Sequence, residues 1–189
     1  MLTVSNLSVQ FGKRVLFDDV NTSFVIGNCY GIIGANGAGK STFLKIISKS
    51  FEPNSGSVHL EQGKRMSVLE QDHFAFDDKQ VLETVIRGNK TLFKIKKEMD
   101  DIYGNPDFSD KDSDKVGVLQ LAYEEMDGWN AESDAAALLS NLEIKEDLHY
   151  KEMNELDGTQ KVKVLLAQAL FGNPDVLIMD EPTNDLDFE

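Results

Sequence analysis

Residues 34–41, Gly34-Ala35-Asn36-Gly37-Ala38-Gly39-Lys40-Ser41, spell G-x-x-x-x-G-K-S between an apolar run ending at Ile33 and a helix-forming run starting at Thr42. Closely spaced glycines let a backbone curl until successive N–H groups face one point, and a helix opening there adds the positive end of its dipole. Between a strand and a helix this pattern predicts a phosphate cradle, with Lys40 balancing charge on the terminal phosphates and Ser41 offering a hydroxyl to Mg²⁺. Gly34, Asn36, Gly37, Ala38, Gly39, Lys40, Ser41 and Thr42 are therefore the first candidate binding residues.

The flanking pattern is consistent with an α/β chain. Leu2, Val4, Leu7 and Val9, then Val15, Leu16, Phe17 and Val20, read as strands broken at Phe11-Gly12-Lys13, and 24–33 reads as another with a turn at Gly27-Asn28. Helix 42–50 follows, then strands 57–60 and 66–69. Beyond Gln71 the pattern turns helical: 81–102, 115–126, 131–142 with Asn130 as its cap, and 160–171, stopped by Gly172-Asn173-Pro174. The polar, acid-rich stretch up to Asp114 reads as an exposed loop. A short apolar strand, 176–179, then delivers Asp180 and Glu181. An apolar strand ending in carboxylates is how P-loop enzymes place an acid near the metal; Asp180 would hold Mg²⁺ and Glu181 would accept a proton from, or orient, an attacking water.

Through GANGAGKST and LDGTQKVKVLLAQALFGNPDVLIMDEPTNDLD the whole chain resembles the ATP-binding cassette (ABC) ATPases, and EPTNDLD resembles the first cassette of the ABC-F subfamily, soluble twin-cassette ATPases that act on the ribosome. The resemblance implies a P-loop fold of ABC type with an antiparallel β subdomain and a helical subdomain: 1–71 with the phosphate loop, 72–155 helical, and 156–189 with the signature helix and the metal-site strand. It implies ATP and Mg²⁺ as ligands. Phe11 takes the place of the aromatic that stacks on adenine, the other reading being a ring packed in the hairpin core. Gln71 takes the place of the glutamine that touches Mg²⁺ and couples core to helices.

Leu156-Asp157-Gly158-Thr159-Gln160 stands where the family has its signature, whose serine and N–H groups face the γ-phosphate of a partner cassette bound head to tail. Thr159 is tolerated in place of glycine where the backbone keeps φ < 0. Asp157 in place of serine sets a like charge against the phosphate, or else caps the following helix; Gly158 and Gln160 keep the family's letters. Asp187 matches the loop that contacts the partner cassette. No histidine stands after Glu181, where the family has one that contacts the γ-phosphate, so the expectation is a first cassette incomplete at its C-terminus, weak or inactive by itself. In a complete protein the resemblance implies ATP hydrolysis driving a ribosome-associated cycle. A transporter's nucleotide-binding subunit and a hydrolysis-defective ATP-binding fragment are the alternatives.

Charge adds a regional feature. Between Glu98 and Asp157 stand 18 acidic residues against four basic ones, which accounts for the entire formal charge of −14; the rest of the chain is balanced. A negative body repels nucleic-acid phosphate unless a local basic stripe intervenes. Arg87, Lys90, Lys94 and Lys97 recur at helical spacing and form such a stripe, readable either as an RNA-contacting face or as an ordinary solvated one. One cysteine, Cys29, and the scattered His59, His73 and His149 suggest neither a disulfide nor a zinc site. With no secretory signal and no apolar run of about 18 residues, a cytoplasmic protein is expected.

Overall fold

In the computed structural model, which describes residues 1–69, 72, 74–107 and 109–181, the first apolar runs form β1 (Leu2–Phe11) and β2 (Arg14–Phe24), an antiparallel hairpin closing at Phe11↔Arg14. β1 buries Leu2 and Val4, then Leu7 and Val9, so its inward alternation changes phase between Val4 and Leu7. The register shifts there, at Asn6 with φ 50°, and this bulge keeps both halves of the strand facing one core. β3 (Ser55–Leu60) pairs on the other side of β1, giving the order β2-β1-β3. Ile46 and Ile47 of α1 (Lys40–Ile47) pack with these strands and with Ile178 of β5 (Val176–Ile178), which runs parallel to β4 (Met66–Val68). These elements make up the unit Met1–Val68 with Pro174–Glu181.

Residues 29–34 differ from expectation. They form no strand, and the turn falls at Ile26-Gly27. Ile33 is 96% exposed, and the Tyr30 ring packs edge-on against Phe24 at 5.0 Å while its hydroxyl accepts from Val25 N. Apolar content alone does not make a strand without a partner to complete its hydrogen-bond ladder.

Asp175 fixes the turn into β5. Its carboxylate accepts from Arg65 N at 2.8 Å and from Lys64 Nζ at 2.9 Å, while Asp175 N donates to Arg65 O. The Arg65 N–H first, and the Lys64 ammonium second, hold this carboxyl below its ordinary range. Stability from a carboxyl lowered by folding is present above the unfolded pKa and is lost as pH falls through the folded one. Asp175→Asn is therefore expected to lower the melting temperature at about pH 7 and to flatten its decline below about pH 4. Identical acid-limb melting curves for the two proteins would refute this role.

The unit Leu69–Asn173 carries α2 (Val81–Ile86), α3 (Lys90–Tyr103), α4 (Asp110–Glu125), α5 (Ala131–Asn141) and α6 (Gly158–Leu170) around Val81, Val85, Leu139, Ile144, Met153 and Val164. Segment 156–189 thus contributes to both units, α6 to this core and β5 to the other. The helix expected over 81–102 is two helices. A Cβ at Gly88 would collide with the carbonyl oxygen of Gln168, and Asn89 caps the new helix by accepting from Leu92 N. Arg87 therefore belongs to the end of α2, bound to Glu83 and stacked over Phe93, and only Lys90, Lys94 and Lys97 share the exposed face of α3.

α4 begins five residues earlier than the spacing suggested. Ser109 and Asp112 form a reciprocal capping box, and Asp110 and Asp112 suit the positive end of the helix. Asn130 holds the N-cap position of α5 as expected but makes no side-chain cap bond; it ends a short 3₁₀ turn, Gly128–Asn130, and its amide donates to Asp127.

Candidate functional site

The phosphate loop is built from two positive-φ glycines and a folded-back lysine. Gly37 and Gly39 have φ of 75° and 99°, a region that costs an L residue strain. A Cβ at Gly39 would also press on Leu16 and Phe17 of β2 at 3.2–3.4 Å. Ala38 N donates to Ala35 O at 3.1 Å and Phe43 N to Gly39 O at 2.8 Å, so the turn runs directly into α1.

Lys40 Nζ donates to Gly34 O at 2.9 Å and to Ala35 O at 3.1 Å, drawing the ammonium across the loop. Asn36, Gly37, Ala38 and Ser41 are exposed, and Thr42 lies half-buried in the first turn. No side chain caps α1, and its first turn carries no acidic residue. An anion at this end meets no competing carboxylate from that turn, while Lys45 complements the opposite end of the helix. The cradle therefore fits a nucleotide's phosphates: positive-φ glycines, an uncapped helix start and a lysine already over the loop.

The hairpin brings an aromatic to the same unit. Phe11 is 51% exposed at the end of β1, with the Phe51 ring 5.9 Å away at 45°. Asn54 ties the turn after Phe51 to β1 by accepting from Gln10 N at 2.8 Å and donating its own N–H to Ser8 O at 3.1 Å. Phe11 is thus not packed into the hairpin core; its exposed ring leaves a flat apolar surface. Across the turn, Arg14 donates to Gly37 O at 2.8 Å. Neither Arg14 nor Phe51 belongs to a motif, and sequence reasoning passed over both. The one signal available for Arg14 was a cation three residues after the aromatic.

β5 leads through Met179 to a half-buried Asp180 and an exposed Glu181, whose φ is 51°. Parallel pairing to β4 sets the position of this strand end, and the Asp175 turn sets its start.

In the helical unit, Asp157 caps α6. Its carboxylate accepts from Gln160 N at 2.8 Å, and Gln160 Oε1 accepts from Asp157 N at 3.1 Å, a complete capping box. Gly158 and Thr159 are the first helical residues, so Thr159 keeps a negative φ and the threonine fits. Lys161, two residues further on, is buried, paired with Asp77 and lying over the Phe74 ring at 4.9 Å. Gln71 and Asp187 lie outside the described residues.

The sequence model of the ABC transporter family matches residues 17–184. The "Uncharacterized ABC transporter ATP-binding protein YkpA" of Bacillus subtilis (strain 168) is 55% identical over 189 residues, covering 100% of this chain and 35% of its own length. The "Probable ATP-binding protein YbiT" of Escherichia coli O157:H7 is 48% identical over 189 residues, covering 100% of this chain and 36% of its own. The "Energy-dependent translational throttle protein EttA" of Mycobacterium tuberculosis (strain ATCC 25618 / H37Rv) is 31% identical over 191 residues, covering 99% and 34%.

This chain therefore spans about a third of the length of these relatives. Among solved structures, a dimeric bacterial ABC transporter cassette superposes with a TM-score of 0.68 at 22% identity, covering 99% of this chain and 76% of that one. A nucleotide-free ATP-binding cassette from an ABC transporter gives 0.63 at 26% identity, covering 96% and 69%.

Proposed function

The chain belongs to the ABC transporter family of ATP-binding domains and has their P-loop α/β fold, and from that premise we propose that it binds Mg-ATP and, within a twin-cassette protein of ABC-F type, hydrolyses it in a ribosome-associated cycle. The observation that carries the first half is the loop geometry: an uncapped α1 start, Gly37 and Gly39 at positive φ, and Lys40 held over the cradle.

In this reading Mg-ATP supplies the electrophilic phosphorus and its leaving group. Lys40 exchanges two carbonyl oxygens for phosphate oxygens, and Gly34, Asn36, Gly37, Ala38, Gly39 and Thr42 form the cradle. Ser41 and Asp180 would hold the metal, the role that the resemblance also gives to Gln71. Phe11 stacks on the base, a contact indifferent to hydrogen-bond pattern. Glu181 orients the water and accepts its proton. Asp157, Gly158 and Gln160 face the phosphate of a second cassette bound head to tail.

The ribosome half is supported by the relative named as a translational throttle and by the exposed Lys90, Lys94 and Lys97 on α3. Among the described residues none of the three lies in an ion pair, so all three charges are available to RNA phosphate. Charge reversal at Lys90 and Lys94 in the full-length protein is expected to weaken ribosome co-sedimentation by about tenfold or more, with a shallower salt dependence. Unchanged binding would sink the RNA contact. A transporter subunit is the second reading, favoured by the family description and by the name of the Bacillus relative; co-purification with a membrane-spanning partner would establish it.

A further inference from the structure

Among the described residues, Arg14 is the one cation whose side chain joins the hairpin to the phosphate loop by a hydrogen bond. It is the first residue of β2 and closes the turn opposite Phe11, so its backbone position is set by the same ladder that presents the ring. Its Nη2 donates to Gly37 O at 2.8 Å, and Gly37 is one of the two loop residues in the left-handed region. The carbonyl of this exposed glycine has the Arg14 guanidinium as its donor.

Arg14 itself is exposed, and among the described residues no carboxylate lies within ion-pair distance of it. A guanidinium has five N–H donors in a planar fork and stays charged at any working pH. One contact to Gly37 leaves most of that fork, and its full charge, beside a loop that opens into an uncapped helix start free of acidic residues in its first turn.

We propose that Arg14 is a nucleotide-binding residue with a second task, bracing the phosphate loop through Gly37 in the free protein and directing its remaining donors at the nucleotide's phosphates when ATP is present. The proposal rests on the ATP-binding reading for its second task only; the brace is a property of the free chain. Lys40 holds the carbonyls of Gly34 and Ala35 and Arg14 that of Gly37, so the two cations grip different residues of the same short turn. Together with Phe11 across the hairpin, Arg14 makes base recognition and phosphate recognition parts of one rigid piece.

Arg14→Gln and Arg14→Lys in the protein that carries this chain test both tasks. Binding of Mg-ATP and of adenosine is measured by calorimetry, and amide hydrogen exchange at residues 37–39 is followed without nucleotide. Arg14→Gln is expected to weaken Mg-ATP about tenfold, to leave adenosine unchanged and to speed loop exchange, while Arg14→Lys recovers part of the affinity through charge alone. Equal loss for ATP and adenosine would reduce the residue to a prop of the hairpin and overturn the phosphate role. Unchanged ATP affinity overturns it as well, and unchanged exchange overturns the brace. Should the unmutated protein bind no Mg-ATP, the ATP-binding reading fails while the exchange experiment still decides the brace.

Discussion

Lys40→Ala is expected to remove Mg-ATP binding, with affinity falling by at least about 100-fold, or about 2.7 kcal/mol. The size follows from what the ammonium does. It sits over the loop on the carbonyls of Gly34 and Ala35, and no other described side chain donates to either carbonyl. A phosphate entering the substituted loop would keep the backbone N–H groups and lose the cation that offsets its charge.

Removing the ammonium costs the free protein little, because water replaces it at two exposed carbonyls; surface changes of this kind stay within about 0.5 kcal/mol. The prediction is therefore a separation: a nearly unchanged melting temperature without nucleotide, and loss of the stabilisation that Mg-ATP confers by mass action. Titration calorimetry with Mg-ATP gives the direct measurement. Affinity within threefold of the unmutated protein would remove Lys40 from the site.

Glu181→Gln is expected to do the opposite: binding unchanged within about twofold, and turnover by the full-length protein reduced by about 10² to 10⁴, the usual range for a lost general base. Glutamine keeps the size of glutamate and its positive-φ preference is no worse, so the backbone at φ 51° is asked for nothing new. What disappears is the capacity to accept a proton. Phosphate-release assays beside nucleotide-binding titrations check both halves, and normal turnover by the variant would contradict the role. If the unsubstituted full-length protein also binds without hydrolysing, the hydrolysis-defective reading is the correct one, and the Asp157 cap at the signature turn is where its cause would be sought.

Local chemistry explains which parts of this fold and site were legible. The phosphate loop, β1, β2, the β5 strand and the end of α6 each carry their determinants within a few residues: glycine spacing, alternation, a Gly-Asn-Pro stop. The break between α2 and α3 does not. Apolar spacing runs on through Gly88, and the reason for the break is the carbonyl of Gln168, 80 positions away. The early start of α4 was readable in principle, since Ser109 and Asp112 form a capping box, yet the density of acids there resembled a solvated loop. Residues 29–34 have strand composition, but composition says nothing about the availability of a partner strand. In the site, the motif letters named the residues of the glycine-rich loop and could not name Arg14, which joins that loop through a hydrogen bond to a residue 23 positions away.

The capping box at Asp157 has a consequence in the field that α6 projects. An open helix start behaves like about half a positive charge, spread over its first unpaired N–H groups. At α1 that partial charge is left unspent, because no side chain caps the helix and no acid stands in its first turn. At α6 a full negative charge already sits on it, bonded to Gln160 N. The two helix starts therefore present opposite electrostatic signs to whatever approaches them: one draws an anion in, and the other has supplied its own.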